Sequence, residues 1–228
     1  MGLETLLEKI KSSHGEAFDY GLIERAYRFA EEAHRGQMRK SGYDAMTRPA
    51  AVAMRLAGWK LDAPTIAAAI LYDVDEDTPY SQKDIEKRFG SEVAFLVGAL
   101  AKLETIHYTD AAERNAENMR KMILALAEDI RVVIIKLFDR LHAMETLSSL
   151  TPDDQRKMAK EAIELYAPLA NRLGMGEIKG QLEDLAFPIV YPEEYQWLES
   201  RVKEPLEERR RFAERLIPEI RELLTREG

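Results

Sequence analysis

The chain has 228 residues, with 33 Lys+Arg against 41 Asp+Glu, a formal net charge of −8, 46% hydrophobic residues and no cysteine. A chain of this size buries about 70% of its unfolded surface, so it needs no covalent staple. The missing cysteine excludes a disulfide scaffold, a thiolate metal site and a cysteine nucleophile. The acidic balance argues against a general nucleic-acid-binding surface. The longest apolar stretches, Ala63–Tyr72 and Val93–Ala101, fall short of the roughly 20 residues that span a bilayer. The opening MGLETLLEKIKSS has no apolar signal core, so a soluble, cytoplasmic protein with no membrane partner is expected.

Helical period dominates and no segment reads as a confident strand, which predicts an all-α fold. Apolar residues recur at helical spacing through Leu22, Ile23, Ala26, Phe29, Ala30 and Ala33, and again through Val133, Ile134, Leu137, Leu141 and Met144. The β-branched run Val132–Ile135 is assigned to helix because KLFDRLHAM continues the same period. Breaks are expected at His34–Met46, Asp77–Ser81, Gly90, Thr105–Asp110 and Thr151–Pro152. Ser81, with Asp84 three residues on, and Thr151, followed by Pro152, are the expected N-caps. Met119, Met122 and Met144 read as core, Trp59 and Trp197 as core or edge anchors, and His14 and His107 as surface residues.

From Val202 to Gly228 the chain reads as a charged amphipathic helix containing Pro218. Its apolar positions, among them Leu206, Phe212, Ile217, Ile220, Leu223 and Leu224, need a surface to cover. The main body, a second copy or a downstream domain are the alternatives. The expected organisation is therefore a main domain over residues 1–200 and this helix, the start of a linker, over 201–228.

The segment LYDVDEDTPYS is the richest in chemistry. If it is helical, Asp73, Glu76 and Asp77 share one face near a helix C-terminus, where the dipole opposes acids. Such a cluster is either well solvated or kept for a cation or an acid–base task, and the residues alone leave both open. A calcium loop is disfavoured, because Thr78 stands where the turn requires Gly and Asp84 where a bidentate Glu is expected. The loop HRGQMRKSG sets Arg35, Arg39 and Lys40 beside Ser41 and two glycines, a phosphate-holding composition that more often is a solvated basic loop. Asp139, inside an apolar helix, must pair with a cation or bind something.

AHRGQMRKSG, RPAAVAMRLAG, ILYDVDEDT, AENMRKM, DIRVVIIKLFDRLHAM, YAPLANRLG and KGQLEDLAF follow one another in the chain. In order and spacing they resemble the hydrolase domain of the RelA/SpoT alarmone synthetase–hydrolases, over about residues 20–200. The resemblance implies an all-helical HD-type fold that removes the 3′ pyrophosphate of (p)ppGpp with a manganese ion. In that family the ion is held by the His of a His-Pro motif, a His-Asp pair and a distant Asp. Here the matching positions are Arg48-Pro49, Tyr72-Asp73 and Asp139. The family's acid–base pair matches Glu76 and Asp77, its nucleotide-contacting residues match Arg39, Lys40 and Ser41, and Ala143 stands where an Asn is expected.

A guanidinium has no lone pair to give and is always charged, so Arg48 cannot ligate a metal. A phenol with a pKa near 10 is a poor ligand at neutral pH, which disqualifies Tyr72. No metal cofactor is therefore expected, and Arg48 is expected in the metal's place, paired with Asp73 and Asp139. Against the family pattern, Arg48, Tyr72, Asp75, Ala101, Phe138 and Ala143 depart together in or beside the site motifs. Phe138, His142 and Ala143 are expected to line the pocket.

Three functions follow from the resemblance and its departures. One is a metal-free, degenerate hydrolase-like domain that binds a guanine nucleotide or regulates a partner domain. The second is a pocket re-purposed, naturally or by design, for a small molecule or for acid–base chemistry, with Glu76, Asp75 or Asp77 as the base. The third, least favoured, is a residual manganese-dependent hydrolase. The partners expected are a small molecule in the pocket and, through the C-terminal helix, a second copy or a downstream domain.

Overall fold

The computed structural model describes residues 2–39, 42–104, 120, 122, 124 and 128–227. Lys40, Ser41, His107, Met119 and the break expected at Thr105–Asp110 lie outside these residues, as do the side chains of Leu206, Leu223 and Leu224. Among the described residues every regular element is helical, and the one pairing of extended backbone is an isolated bridge between Met38 and Asp44. The expected all-α fold is what forms. No helix among the described residues is long and apolar enough to cross a membrane. Contacts divide the chain into two units, Met1–Ala186 and Phe187–Gly228.

The first unit begins with α1 (Leu3–Ser13), α2 (Tyr20–Ala33), α3 (Thr47–Gly58) and α4 (Ala63–Leu71). It continues with the single turn α5 (Val74–Asp77), then α6 (Gln82–Phe89), α7 (Ser91–Glu104) and the long α8 (Ile130–Glu145). Next come α9 (Pro152–Glu161), a π-helical turn (Ala162–Tyr166), α10 (Ala167–Arg172) and the start of α11 (Gly176–Val190). Side chains set the starts. Asp19, Asp62 and Asp129 accept from the backbone N–H groups of Leu22, Thr65 and Arg131 at 2.8, 2.9 and 2.9 Å. Ser81 and Asp84 close a reciprocal capping box on α6, and Thr151 caps α9 ahead of Pro152, both as the sequence leads one to expect.

Helix α4 is the hub. Its sequence APTIAAAIL is apolar on every face, which only a fully surrounded helix tolerates, and Ala63 and every residue from Thr65 to Leu71 are buried. It packs against α2, α3, α7 and α8. Ile66, Ile70 and Leu71 are completely buried, each contributing about 1.5–3 kcal/mol of transfer free energy. Its small residues allow close approach of the neighbouring helices, so the N-terminus of α3, the C-terminus of α4 and the middle of α8 converge. The β-branched run Val132–Ile135 lies within α8, as its continuing period requires.

His14 corrects an expectation. It is half-buried, and its Nε2 lies 2.9 Å from the Leu61 carbonyl oxygen, so it links α1 to the turn between α3 and α4. In the second unit, α12 (Pro192–Glu227) starts well before Val202. Trp197 is exposed with Arg201 stacked over its ring at 4.9 Å, and Phe212, Ile217 and Ile220 are exposed as well.

Candidate functional site

The helix carrying the acids is not continuous. Helix α4 stops at Leu71, and Asp73 occupies the N-cap position of the separate turn α5. The shared face expected for Asp73, Glu76 and Asp77 is therefore not formed. The acids Asp75, Glu76 and Asp77 instead fall in the single turn of α5. Asp73 points inward and is 4% exposed, whereas Glu76 and Asp77 face solvent and Asp75 is half-buried.

Arg48, in the first turn of α3, reaches α8 and forms a two-pronged pair with Asp139: Nε donates to Oδ1 and Nη2 to Oδ2. Tyr72 donates its hydroxyl to Asp139 Oδ1 at 3.2 Å, and Lys136 Nζ lies 3.4 Å from Oδ2. Burial raises the Asp139 carboxyl, but the charges of Arg48 and then Lys136 outweigh it and hold the group well below the usual carboxylate range. Burial, followed by the charge of Asp139, pushes the Tyr72 phenol well above its ordinary value, so it stays a neutral donor.

Asp73 has a different partner from the one expected. Arg39, not Arg48, donates to its Oδ2, while Arg39 Nε donates to the Ala45 carbonyl at 3.2 Å. His34 Nε2 faces Asp73 Oδ1 at 3.3 Å as an ion-pair contact, and neither atom makes a hydrogen bond. The Gln37 amide fixes the other side of that ring. Its Nε2 donates to the Asp77 carbonyl at 2.9 Å, so its Oε1, 2.8 Å from His34 Nδ1, accepts a hydrogen bond from the N–H of that nitrogen. Gly36, with φ +78°, lets the chain turn back from α2 so that Gln37 and Arg39 arrive at α5.

Beside these pairs lies a cavity of about 760 Å³, within the range of small-molecule sites. Arg39, Arg48, Asp77, His142 and Ala143 line it. Phe138 does not. It is buried in the core with its ring edge-on to Trp59 at 5.3 Å, so its position on α8 points it away from the cavity. Asp73, Tyr72 and Asp139 stand behind the arginines, and neither Glu76 nor Asp75 is on the wall. Sequence reasoning missed His34 as a site residue, and it missed Gln37, Met38, Tyr43, Leu150 and Met158 as lining. The signal for His34 and Gln37 was their place at the head of the basic loop.

A divalent cation does not fit these residues. Each of the two buried carboxylates already carries a guanidinium, and the third neighbour is a phenol held protonated. Among the described residues no group of three or more His, Asp or Glu is placed to hold a metal ion.

A family model described as HD domain matches residues 26–176. The chain is 46% identical over 206 residues to the bifunctional (p)ppGpp synthase/hydrolase SpoT of Escherichia coli, covering 90% of this chain and 29% of that protein. It is 42% identical over 229 residues to the guanosine-3′,5′-bis(diphosphate) 3′-pyrophosphohydrolase of Aquifex aeolicus, covering 100% of this chain and 32% of that protein. The chain thus spans about a third or less of the length of the curated relatives it matches. Among solved structures, a metazoan ortholog of SpoT that hydrolyses ppGpp matches with a TM-score of 0.54 and 24% identity, over 75% of this chain and 95% of that one. That likeness shows the fold alone.

Proposed function

The chain belongs to the HD domain family, and on that premise we propose that it is a metal-free member whose hydrolase-like pocket binds a guanine nucleotide without cleaving it. The observation that carries this reading is the Arg48–Asp139 pair. A permanent cation on the chain stands against the carboxylate that the family resemblance assigns to the metal. It repels a divalent ion, and no lone pair is offered in its stead. Without the ion there is no activated water for attack on a phosphorus atom. The relatives' printed activities, (p)ppGpp synthesis and hydrolysis, support guanine nucleotides as the ligand class.

The test is pyrophosphate release from ppGpp by metal-stripped protein, with and without manganese, beside the double variant Arg48→His, Tyr72→His. No release by the parent and manganese-dependent release by the double variant are expected. Release by the parent with manganese overturns the reading.

The second reading, acid–base chemistry without a metal, has one supporting observation: Asp77 is on the cavity wall. Phe138, expected on the pocket wall, faces the core instead and adds no aromatic surface beside it.

A further inference from the structure

Two guanidinium groups reach the cavity wall, and each is engaged from behind by a buried carboxylate: Arg39 by Asp73 and Arg48 by Asp139. The two carboxylates are 4% and 2% exposed, so solvent screens these pairs little. A cation whose field is cancelled at hydrogen-bond distance attracts a further anion weakly. Asp77 adds another negative group to the same wall, and burial holds His142 toward its neutral form.

Gln37, Thr47, Thr146 and Ser149 add uncharged polar groups, and the rest of the wall is mainly apolar. Met38, Tyr43, Leu150 and Met158 supply two thioethers, a phenol ring and a leucine. Met38 and Tyr43 are 64% and 54% exposed, so both have surface to give to a planar ring.

We infer that the cavity takes its ligand by an uncharged planar ring, so that affinity for guanine compounds does not rise with the number of phosphates. This deepens the nucleotide reading above and rests on it.

The experiment is calorimetric titration of the whole metal-stripped chain with guanosine, GDP, ppGpp and inorganic pyrophosphate, at about 0.15 M salt. The three guanine ligands are expected to bind within about threefold of one another, and pyrophosphate alone to give no signal. GDP or ppGpp binding about tenfold or more tighter than guanosine overturns the inference and leaves the nucleotide reading standing. Failure of all three to bind overturns the nucleotide reading itself.

Asp73→Asn and, separately, Asp139→Asn release one arginine each. Either is expected to tighten GDP relative to guanosine by about fivefold or more. Asp73→Asn decides the matter if the deeper Asp139→Asn does not fold, and an unchanged ratio overturns the inference.

Discussion

Arg48 and Asp139, 91 residues apart in the chain, meet fork to fork, one nitrogen on each carboxylate oxygen. The carboxylate is buried and the guanidinium is three-quarters buried. Removing Arg48 alone leaves the buried carboxylate only the longer Lys136 contact and the Tyr72 hydroxyl. Arg48→Met is therefore expected to lower stability by about 3–5 kcal/mol in urea unfolding, whereas Arg48→Met with Asp139→Leu is expected to recover most of that loss. A double variant as unstable as the single one counts against the pair as the cause.

Tyr72 contributes less. Its hydroxyl is one of several groups on Asp139, and the carboxylate keeps Arg48 and Lys136 without it. Tyr72→Phe is expected to cost about 1 kcal/mol, seen as a small drop in melting temperature. A loss as large as that of Arg48→Met would mean that the phenol anchors the carboxylate.

Two histidines, His34 buried and His142 half-buried, are shifted in opposite directions. Burial lowers His142 against the charge of Glu145, and Arg48 and Arg55 push in the same direction as burial. Burial alone would lower His34 too, but the contact with the Asp73 carboxylate and then with Gln37 raises it above the ordinary value. The contribution of His142 is present above about pH 6.5 and lost as pH falls through its lower folded value. That of His34 is present below about pH 6.5 and lost as pH rises through its higher one. Proton NMR titration should show one imidazole on each side of the ordinary value. His142→Gln should blunt the acid loss of stability and His34→Gln the alkaline one.

Behind Asp139 sits Arg140, which pairs with Glu161 at 3.1 Å, donates to the Tyr166 hydroxyl at 3.0 Å and stacks over that ring at 4.2 Å. A planar fork makes all three contacts at once and an ammonium does not. Arg140→Lys is expected to cost about 2 kcal/mol in chemical unfolding despite keeping the charge. A neutral outcome would mean that charge alone matters there.

How much of this was legible in the sequence depended on range. The capping box at Ser81–Asp84 and the cap at Thr151 were readable because both partners lie within one helical turn. The Arg48–Asp139 pair was readable, over a long separation, because a guanidinium in a family's ligand position admits few chemical alternatives. The partner of Asp73 was not. Which arginine reaches it depends on how the loop after α2 folds back at Gly36, a tertiary outcome with no local signature. Phe138 shows the same limit: its neighbours in sequence are site residues, yet the rotation of α8 turns it toward Trp59.

A cation carried on the chain has no dissociation constant. The charge that balances Asp139 arrives with translation, so chelators, competing ions and metal scarcity have no hold on it. The same permanence removes adjustability. A bound ion can be exchanged or withdrawn while the fold persists, but the Arg48 side chain can swing off its carboxylate and still stays tethered to α3.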